Sequence, residues 1–294
     1  DRTVRCWGTN NWAQLGVGHS MPVTGVVSPT GLGEVVSVDT GDLHSCALKA
    51  NGHVWCWGDN DSGQLGLGHT TVTLVPTRVP GLEGVVEVQV RVGGACARTG
   101  TGDVYCWGGG AVGDGSSTSS LSPARASLSG VLELAADRSS STACARRASG
   151  WSCWGSSRSA GTGTSGTLLS PTALAAPTGM DQLVLASSRG CALVDGVVSC
   201  WGESFWASFG ESRQPLDIVP ASMAMTVPLT RTPTFITCSG SQCCGLAGDE
   251  VTCWGSPVGG IHGDGPRDGT RATTPVGLSD VTGMTLDGST TCAI

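Results

Sequence analysis

The stretch HSCALKANGHVWCWGDNDSGQLG, residues 44–66, carries two strand-like runs on either side of an Asn-Gly pair. The run SCAL begins at Ser45 and the run HVWCWG begins at His53. Asn-Gly supplies the positive φ angles of a tight hairpin turn, so the two runs are expected to pair antiparallel. Opposed residues of such a pair have Cα atoms about 4.5 to 5.5 Å apart, a separation that a disulfide spans. The stretch therefore predicts a hairpin closed by a Cys46–Cys56 bond.

The tripeptide Cys-Trp-Gly recurs along the whole chain. Successive cysteines of this tripeptide are 47 to 53 residues apart, a period typical of β-propeller blades. Counted from the last of them through the C-terminus and on from Asp1 to the first, the interval is again 47 residues. The spacing predicts one domain, residues 1–294, built as a closed ring of six units. The six cysteines are Cys6, Cys56, Cys106, Cys153, Cys200 and Cys253.

Each unit has the pattern of four short strands, which in the second unit are VVSV, SCAL, HVWCWG and PTRV. Four strands make one blade, so we predict an all-β, six-bladed β-propeller. The sixth unit is split between the chain ends. Residues 290–294, TTCAI, match SCAL, and residues 3–8, TVRCWG, match HVWCWG. Pairing of these N- and C-terminal strands is expected to close the ring.

The hairpin spacing of the cysteines recurs in every unit and predicts a full set of disulfides. In the split unit, the bond from Cys6 to Cys292 would lock the ring. Cys238 and Cys243 fall on either side of a strand-to-strand turn and are paired with each other. The remaining predicted pairs are Cys46–Cys56, Cys96–Cys106, Cys144–Cys153, Cys191–Cys200 and Cys244–Cys253. Such a set requires an oxidising compartment, which predicts a secreted, extracellular or cell-surface protein.

Zinc is the alternative account of the cysteine cluster at Cys238, Cys243, Cys244 and Cys253. Structural zinc sites show tight CxxC-type spacing, which this cluster lacks. His19 and His69 share a repeat position but lack the third ligand that a metal site needs. The run DNDSG from Asp59 has the start of a calcium loop without its downstream glutamate. We therefore predict no metal and no cofactor.

Composition excludes several classes of partner. The chain has 46 glycines, 13% charged residues and a net charge of −7, as expected of a turn-rich β protein. Nucleic acid is disfavoured because phosphate contacts require concentrated Lys and Arg. No apolar run approaches the roughly 18 residues that would span a bilayer, so no membrane insertion is expected. No convergent acid, base or nucleophile is visible, since the repeat positions matching His44 hold other residue types. We predict a protein that is not an enzyme.

Residues 41–68, GDLHSCALKANGHVWCWGDNDSGQLGLG, resemble the repeat of the regulator of chromosome condensation family, and CWGTNNWAQLGVG at 6–18 does so in part. Later units keep CWG and lose GQLG. The resemblance implies a β-propeller. The eponymous family member has seven blades, whereas this chain has six units, and the recurrent cysteines are more similar to those of secreted bacterial members. Functions in the family range widely, so the resemblance implies no particular activity.

Two tryptophans break the repeat at a loop position where packing requires no aromatic residue. Trp12 and Trp206 each lie six residues after a Cys-Trp-Gly cysteine, where other units carry Ser62, Val112, Ser159 and Gly259. Exposed loop aromatics are typical anchors for protein and sugar ligands. Trp151 and Trp55 are instead expected to pack within or between blades. A binding patch around the two loop tryptophans is predicted to include Phe205, Phe209, His262, Asp264 and Arg267.

We interpret the chain as a rigid extracellular binding module for a protein or cell-surface component, as in recognition or adhesion. One alternative is a lectin that binds carbohydrate through the same exposed aromatics. A second alternative is an architectural subunit of an extracellular filament or coat. Asn60-Asp61-Ser62 would be a glycosylation acceptor if a eukaryote secretes the protein.

Overall fold

The computed structural model describes residues 3–293 except 159, 163–165, 176–178, 188, 204–217, 220–223, 228, 230, 241, 256–283 and 288–289. At 203, 218–219, 225, 255, 284–287 and 290–293 it describes the backbone alone. Across these residues the chain is all-β, with 22 strands and no helix. The predicted fold class is therefore correct at the level of secondary structure.

The strands form a series of short meanders. In the first half of the chain they are β1 (Val35–Thr40), β2 (His44–Lys49), β3 (Val54–Gly58), β4 (Thr73–Arg78), β5 (Val85–Arg91), β6 (Gly94–Thr99), β7 (Val104–Gly108), β8 (Ser120–Arg125), β9 (Glu133–Ala136), β10 (Ala143–Arg147), β11 (Gly150–Ser156) and β12 (Thr167–Ala173). In the second half they are β13 (Gln182–Ala186), β14 (Arg189–Val194), β15 (Val197–Glu203), β16 (Ile218–Val219), β17 (Met225–Thr226), β18 (Phe235–Ser239), β19 (Gln242–Ala247), β20 (Glu250–Gly255), β21 (Met284–Asp287) and β22 (Thr290–Ala293).

The chain divides into two compact units. The first comprises residues 1–155 and 167–173, and the second comprises 156–166 and 174–294. Three four-stranded sheets form the first unit: sheet 1 (β1-β2-β3-β4), sheet 2 (β5-β6-β7-β8) and sheet 3 (β9-β10-β11-β12). The second unit contains sheet 4 (β13-β14-β15-β16, with β17 on β15), sheet 5 (β18-β19-β20) and sheet 6 (β21-β22). Strand order follows chain order in every sheet, as in a propeller blade.

The hairpin registers place the predicted cysteines opposite one another. Cys46 faces Cys56 between β2 and β3, and each later sheet through sheet 5 repeats this pairing. Cys238 faces Cys243 between β18 and β19. Six of the seven predicted disulfides are present, with Cα atoms 4.0 to 4.2 Å apart.

The seventh predicted bond, Cys6–Cys292, stays a prediction, and Cys6 forms no disulfide with the described cysteines. The backbone of Cys6 exchanges two 2.8 Å hydrogen bonds with Val27, and half-burial raises the pKa of its thiol. The side chain of Cys292 lies outside the described residues. Strand β22 pairs with β21 in sheet 6. Closure of the ring through residues 3–8 stays a prediction.

A glycine of one repeat covers the tryptophan of the next. Trp57 is fully buried, and its indole Nε1 donates a 2.8 Å hydrogen bond to the carbonyl of Gln14. Gly16, at φ +69°, lies so close that a Cβ there would be 2.8 Å from the same Nε1. The loop continues across the neighbouring outer strand, where Gly18 N–H donates to the carbonyl of Leu74 at 3.0 Å.

The same interaction joins sheets 1 and 2. Trp107 is fully buried, and its Nε1 donates to the carbonyl of Gln64 at 2.9 Å. Gly66, at φ +69°, occupies the place of Gly16, and Gly68 donates to the carbonyl of Leu121 at 2.8 Å. The corresponding loop of sheet 2, between β7 and β8, is shorter in sequence. It still covers the next tryptophan with a glycine, but the Nε1 of that residue, Trp154, has no partner.

The first Cys-Trp-Gly tryptophan departs from this pattern. Five of the six are no more than 1% exposed: Trp57, Trp107, Trp154, Trp201 and Trp254. Trp7 is 70% exposed. By the repeat, the loop that would cover Trp7 follows Trp254 and falls in residues 256–283, outside the described part of the chain.

Gly66→Ala tests whether the glycine contact is required. We expect a lower unfolding temperature than for Gly84→Ala, because Gly84 has a similar φ of +62° and open space around its Cβ position. Both variants carry left-handed strain of about 1 to 2 kcal/mol, and only the first adds overpacking of about 1 to 3 kcal/mol against Trp107. Thermal unfolding of the oxidised proteins measures the difference. Equal unfolding temperatures would show that the loop shifts without cost.

Candidate functional site

The loop that carries Trp12 is held by one buried asparagine. Asn10 is fully buried, and its Nδ2 donates to the carbonyls of His19 and Met21 at 2.9 and 3.0 Å. Its Oδ1 accepts the N–H of Leu15 at 3.1 Å. All three of these hydrogen bonds lie within the loop, so the loop conformation is fixed without a ligand.

Asn60 repeats this arrangement in the sister loop, which connects β3 to β4 of sheet 1. Its Nδ2 donates to the carbonyls of His69 and Thr71 at 2.8 and 3.0 Å, and its Oδ1 accepts the N–H of Leu65 at 3.1 Å. Asn60 is completely buried, so the folded chain does not offer it for glycosylation. The asparagine of the motif Asn60-Asp61-Ser62 therefore has a structural role.

Asp59 also serves the sister loop. Its carboxylate accepts a 2.7 Å hydrogen bond from Gln64 Nε2 and a 2.8 Å bond from the N–H of Asn60. Asp59 is the first residue of the run DNDSG, which resembles the start of a calcium loop. Its carboxylate instead holds its own loop closed through these hydrogen bonds. In the Trp12 loop, Thr9 takes this place and accepts from Gln14 Nε2 at 3.2 Å.

Trp12 stands at the tip of its loop. Its backbone N–H donates to Gln14 Oε1 at 2.9 Å, as Ser62 donates to Gln64 Oε1 at 2.8 Å. The side chain of Trp12 is 42% exposed. The two loops share one hydrogen-bonding scheme with either residue at the tip, so the loop does not require an indole there.

The other members of the predicted binding patch lie outside the described residues, and their grouping with Trp12 stays a prediction. They are Trp206, Phe205, Phe209, His262, Asp264 and Arg267.

The two other tryptophans outside Cys-Trp-Gly, Trp151 and Trp55, are packing residues, as expected. Trp151 is 5% exposed. Trp55 is partly buried, with the ammonium of Lys49 5.3 Å from its ring centre, a cation–π contact within one hairpin. Neither offers a free aromatic surface comparable with that of Trp12.

The histidines at the shared repeat position are loop residues. His69 is exposed, and its Nδ1 accepts the N–H of Thr71 at 3.2 Å. His19 is partly buried. Within the described residues, neither belongs to a group of three potential metal ligands.

A buried carboxylate that sequence reasoning missed joins three consecutive sheets. Asp39 lies near the end of β1 and is 7% exposed. One carboxylate oxygen accepts the N–H of Val90 in β5 at 2.6 Å, and the other accepts Arg138 Nη2, beyond β9, at 2.5 Å. The one available signal was an acidic residue within an apolar strand, which predicts a partnered group without naming the partner.

His44 lies beside this carboxylate at the start of β2. It is 2% exposed, and its Nε2 donates to the carbonyl of Gly94 in the next sheet at 3.3 Å. Burial lowers the pKa of His44 from 6.5 to about 4, against the smaller opposing effects of the Gly94 bond and the charge of Asp39. His44 is therefore neutral at physiological pH and serves as a sheet-to-sheet donor, in agreement with a structural rather than a catalytic role.

Arg91 extends the polar contacts to sheet 3. The residue is fully buried, and its Nη1 donates to the carbonyl of Ser141 at 2.5 Å. Desolvation lowers the pKa of Arg91 to about 10, which leaves it charged at neutral pH. Gly41 and Asp137 hold the same repeat position in the adjacent sheets. Each inner strand end thus carries a different group, a variation that the repeat pattern does not predict.

In the described part of the chain, the group of potential metal ligands consists of three cysteine sulfurs. The Sγ atoms of Cys191, Cys238 and Cys243 lie within 4.8 Å of one another. All three belong to disulfides, so they offer no thiolate to a metal. Cys244 and Cys253, the other members of the cluster considered for zinc, are bonded to each other. The four residues of that cluster are thus paired as disulfides.

Comparisons with known proteins agree with this architecture. Residues 35–64 and 51–97 match models described as the regulator of chromosome condensation (RCC1) repeat. The structure of human WBSCR16 is similar over 98% of this chain and 80% of its own, with 22% identity and a TM-score of 0.77. Prp20p of Saccharomyces cerevisiae is similar over 98% and 90%, with 16% identity and a TM-score of 0.55.

A third similar structure is the CRINKLY WD40 ectodomain of the Arabidopsis thaliana receptor kinase ACR4. It covers 88% of this chain and 75% of its own, with 18% identity and a TM-score of 0.54. Comparison with curated proteins gave no match. At these identities the similar structures establish a β-propeller fold. No helix in the described residues is long and apolar enough to cross a membrane.

His44→Gln tests the polar contacts between sheets, with a residue type that Gln242 already provides at this repeat position. The pKa of His44 is lower in the folded chain than its ordinary 6.5, so the unfolded state binds the proton first and stability falls as pH decreases from about 7 towards 4. We expect His44 to account for about 2 kcal/mol of lost stability between pH 7.5 and pH 5. Chemical denaturation at both pH values should show a smaller loss for His44→Gln. An equal loss in both proteins would contradict the assignment.

Proposed function

We propose, on the premise that this chain carries RCC1-type repeats, that it is an extracellular β-propeller without enzymatic activity that binds a protein partner. The observation that carries the proposal is Trp12, an exposed indole on a loop whose conformation does not need it. An exposed aromatic side chain on a rigid backbone provides large contact area at small entropic cost, which is characteristic of interface anchors.

Six disulfides support an extracellular location. Structural disulfides form and persist in oxidising compartments and are rare in the reducing cytosol. Five of the six staple the same hairpin in successive sheets, so the bonds form a framework and are not a single regulatory pair. The similar ACR4 domain is a receptor ectodomain, and Prp20p is known for its binding to Gsp1p and histones. Both are in line with a protein-binding propeller.

The proposal includes closure of six units into one ring. Cys6 pairs with Val27 as Cys56 in β3 pairs with Thr77 in β4, so the N-terminal segment carries the outer pairing of a blade. The strands β21 and β22 carry an inner hairpin, with Thr285 opposite Cys292 as Asp39 is opposite Cys46. These two half-blade pairings are complementary, which supports the proposed closure.

Amide hydrogen exchange tests this closure. The N–H groups of Arg5 and Trp7 alternate with that of Cys6 and therefore point away from Val27. In a closed ring they are hydrogen-bonded to the C-terminal strand, and we expect them to exchange as slowly as amides of β3. Rapid exchange at Arg5 and Trp7, with slow exchange at β3, would show an open chain.

Trp12→Ser tests the binding site, because the sister loop folds with Ser62 at the equivalent position. We expect a stability change within about 0.5 kcal/mol and a loss of partner affinity of roughly 30-fold, equivalent to about 2 kcal/mol for a true anchor. A photo-crosslinking residue at position 12 should capture the partner from the native extracellular fluid. The same residue at position 62 is the matched control.

Competition with unlabelled protein shows which crosslinked product is specific. Excess unlabelled wild-type protein should abolish crosslinking at position 12, whereas Trp12→Ser should compete poorly. Equal crosslinking at both positions, or equal competition by both proteins, would contradict a site at Trp12. A glycan array distinguishes the lectin alternative, since selective sugar binding that Trp12→Ser abolishes would replace the protein partner with a carbohydrate.

A further inference from the structure

Two disulfides of neighbouring sheets touch each other in the second unit. Cys191–Cys200 staples β14 to β15 in sheet 4, and Cys238–Cys243 joins β18 to β19 in sheet 5. Cys191 Sγ lies 3.9 Å from Cys243 Sγ, close to van der Waals contact. This contact places a second potential bonding partner beside Cys243, and Cys238 Sγ also lies within 4.8 Å of Cys191 Sγ.

The Cys238–Cys243 bond also differs from the other five in position. The others recur at one place in the repeat, whereas Cys238 and Cys243 occupy the places of Thr40 and Ser45 in sheet 1. The hairpin that follows is already fixed by Cys244–Cys253, one residue along β19. The repeat architecture therefore does not require the additional bond.

Solvent exposure also distinguishes the Cys238–Cys243 bond from the other five disulfides. Eleven of the twelve cysteines in the described disulfides are at most 3% exposed, and Cys238 alone is partly exposed. Thiol–disulfide exchange requires that an attacking thiolate reach a sulfur of the bond. An external thiol can therefore approach this disulfide at Cys238, while the others are enclosed by the core.

We propose that Cys238, Cys243 and Cys191 form a thiol–disulfide exchange site whose substrate is an external dithiol. A thiolate of the dithiol attacks Cys238 Sγ, and Cys243 leaves as a thiolate. The second thiol of the dithiol then resolves the mixed disulfide, which releases Cys238 as a thiol and the dithiol as its own disulfide. Two electrons have passed from the dithiol to the protein.

The second step uses the 3.9 Å contact. The thiolate of Cys243 attacks Cys191 Sγ, the Cys191–Cys200 bond breaks, and its electron pair leaves on Cys200, which takes a proton from water. The products are a Cys191–Cys243 disulfide and thiols at Cys238 and Cys200. The number of disulfide bonds among these four cysteines falls from two to one. This loss balances the disulfide that forms in the external dithiol.

The exchange moves a cross-link from within one sheet to between two sheets. Sheets 4 and 5 are already adjacent through Gln182 of β13, whose side-chain amide donates to the carbonyl of Ile236 at 2.8 Å and accepts its N–H at 2.9 Å. A Cys191–Cys243 bond would fix this contact covalently and release the β14–β15 staple. The site thus converts a reducing signal into a change of connectivity.

Limited reduction of the intact wild-type protein tests the proposal. The oxidised protein is treated with substoichiometric dithiothreitol, quenched with acid, alkylated and mapped as non-reduced peptides. We expect alkylation at Cys238 and Cys200, a new Cys191–Cys243 peptide, and reduction at least roughly tenfold faster than at Cys144–Cys153. Alkylation of Cys238 and Cys243 with Cys191–Cys200 intact would overturn the proposal, as would equal reduction of Cys144–Cys153.

A variant examines the second step without a reductant. Cys238→Ser leaves Cys243 without its partner, and we expect labelling at Cys200 together with a Cys191–Cys243 peptide. In the matched control, Cys144→Ser, labelling should be confined to Cys153. Labelling at Cys243 alone in the first variant would overturn the exchange step. If Cys238→Ser does not fold, the wild-type experiment still decides.

Discussion

The burial of Trp57, Trp107 and Trp154 beneath a loop of the preceding repeat is the constraint on which the described structure of the first unit depends. A fully buried indole of this size contributes about 3 to 5 kcal/mol relative to a truncated side chain. The contact requires a glycine at positive φ over the ring, as at Gly66, and for Trp57 and Trp107 a backbone carbonyl also accepts the Nε1 hydrogen. The repeat thus specifies each sheet together with its attachment to the next, and the same contact fixes the base of the loops that reach solvent.

Polar contacts between the inner strands add directional specificity to this apolar packing. Asp39 bridges three consecutive sheets, and His44 donates across one sheet boundary. Glu87 and Gln182 occupy one repeat position, and each accepts the N–H of a residue in the next inner strand. Such buried groups carry a large penalty if a partner is lost, so they favour one register between sheets. The disulfides act within the sheets, and the polar bonds act between them.

The loops that this framework supports are rigid before any ligand arrives. In the loops of Trp12 and Ser62, buried asparagines satisfy three backbone groups each, and the tip residue is free to vary. Variation at a fixed tip is how one scaffold accommodates different ligands, because the residue with the greatest exposure has the smallest role in folding. The exchange site proposed in sheets 4 and 5 lies in the other unit and does not depend on these loops.

The sequence by itself determined the strands, the hairpin partners and six disulfides, because a period of about fifty residues and an Asn-Gly turn are local signals that fix local pairing. It also predicted that Trp12 is dispensable for packing. Only the tertiary structure decided that Asn60 is buried, that Asp39 joins three sheets, that Trp7 is exposed and that Cys191 lies against Cys243. These outcomes depend on which residues of neighbouring repeats meet, and contacts between residues far apart in the chain carry no signature in either segment alone.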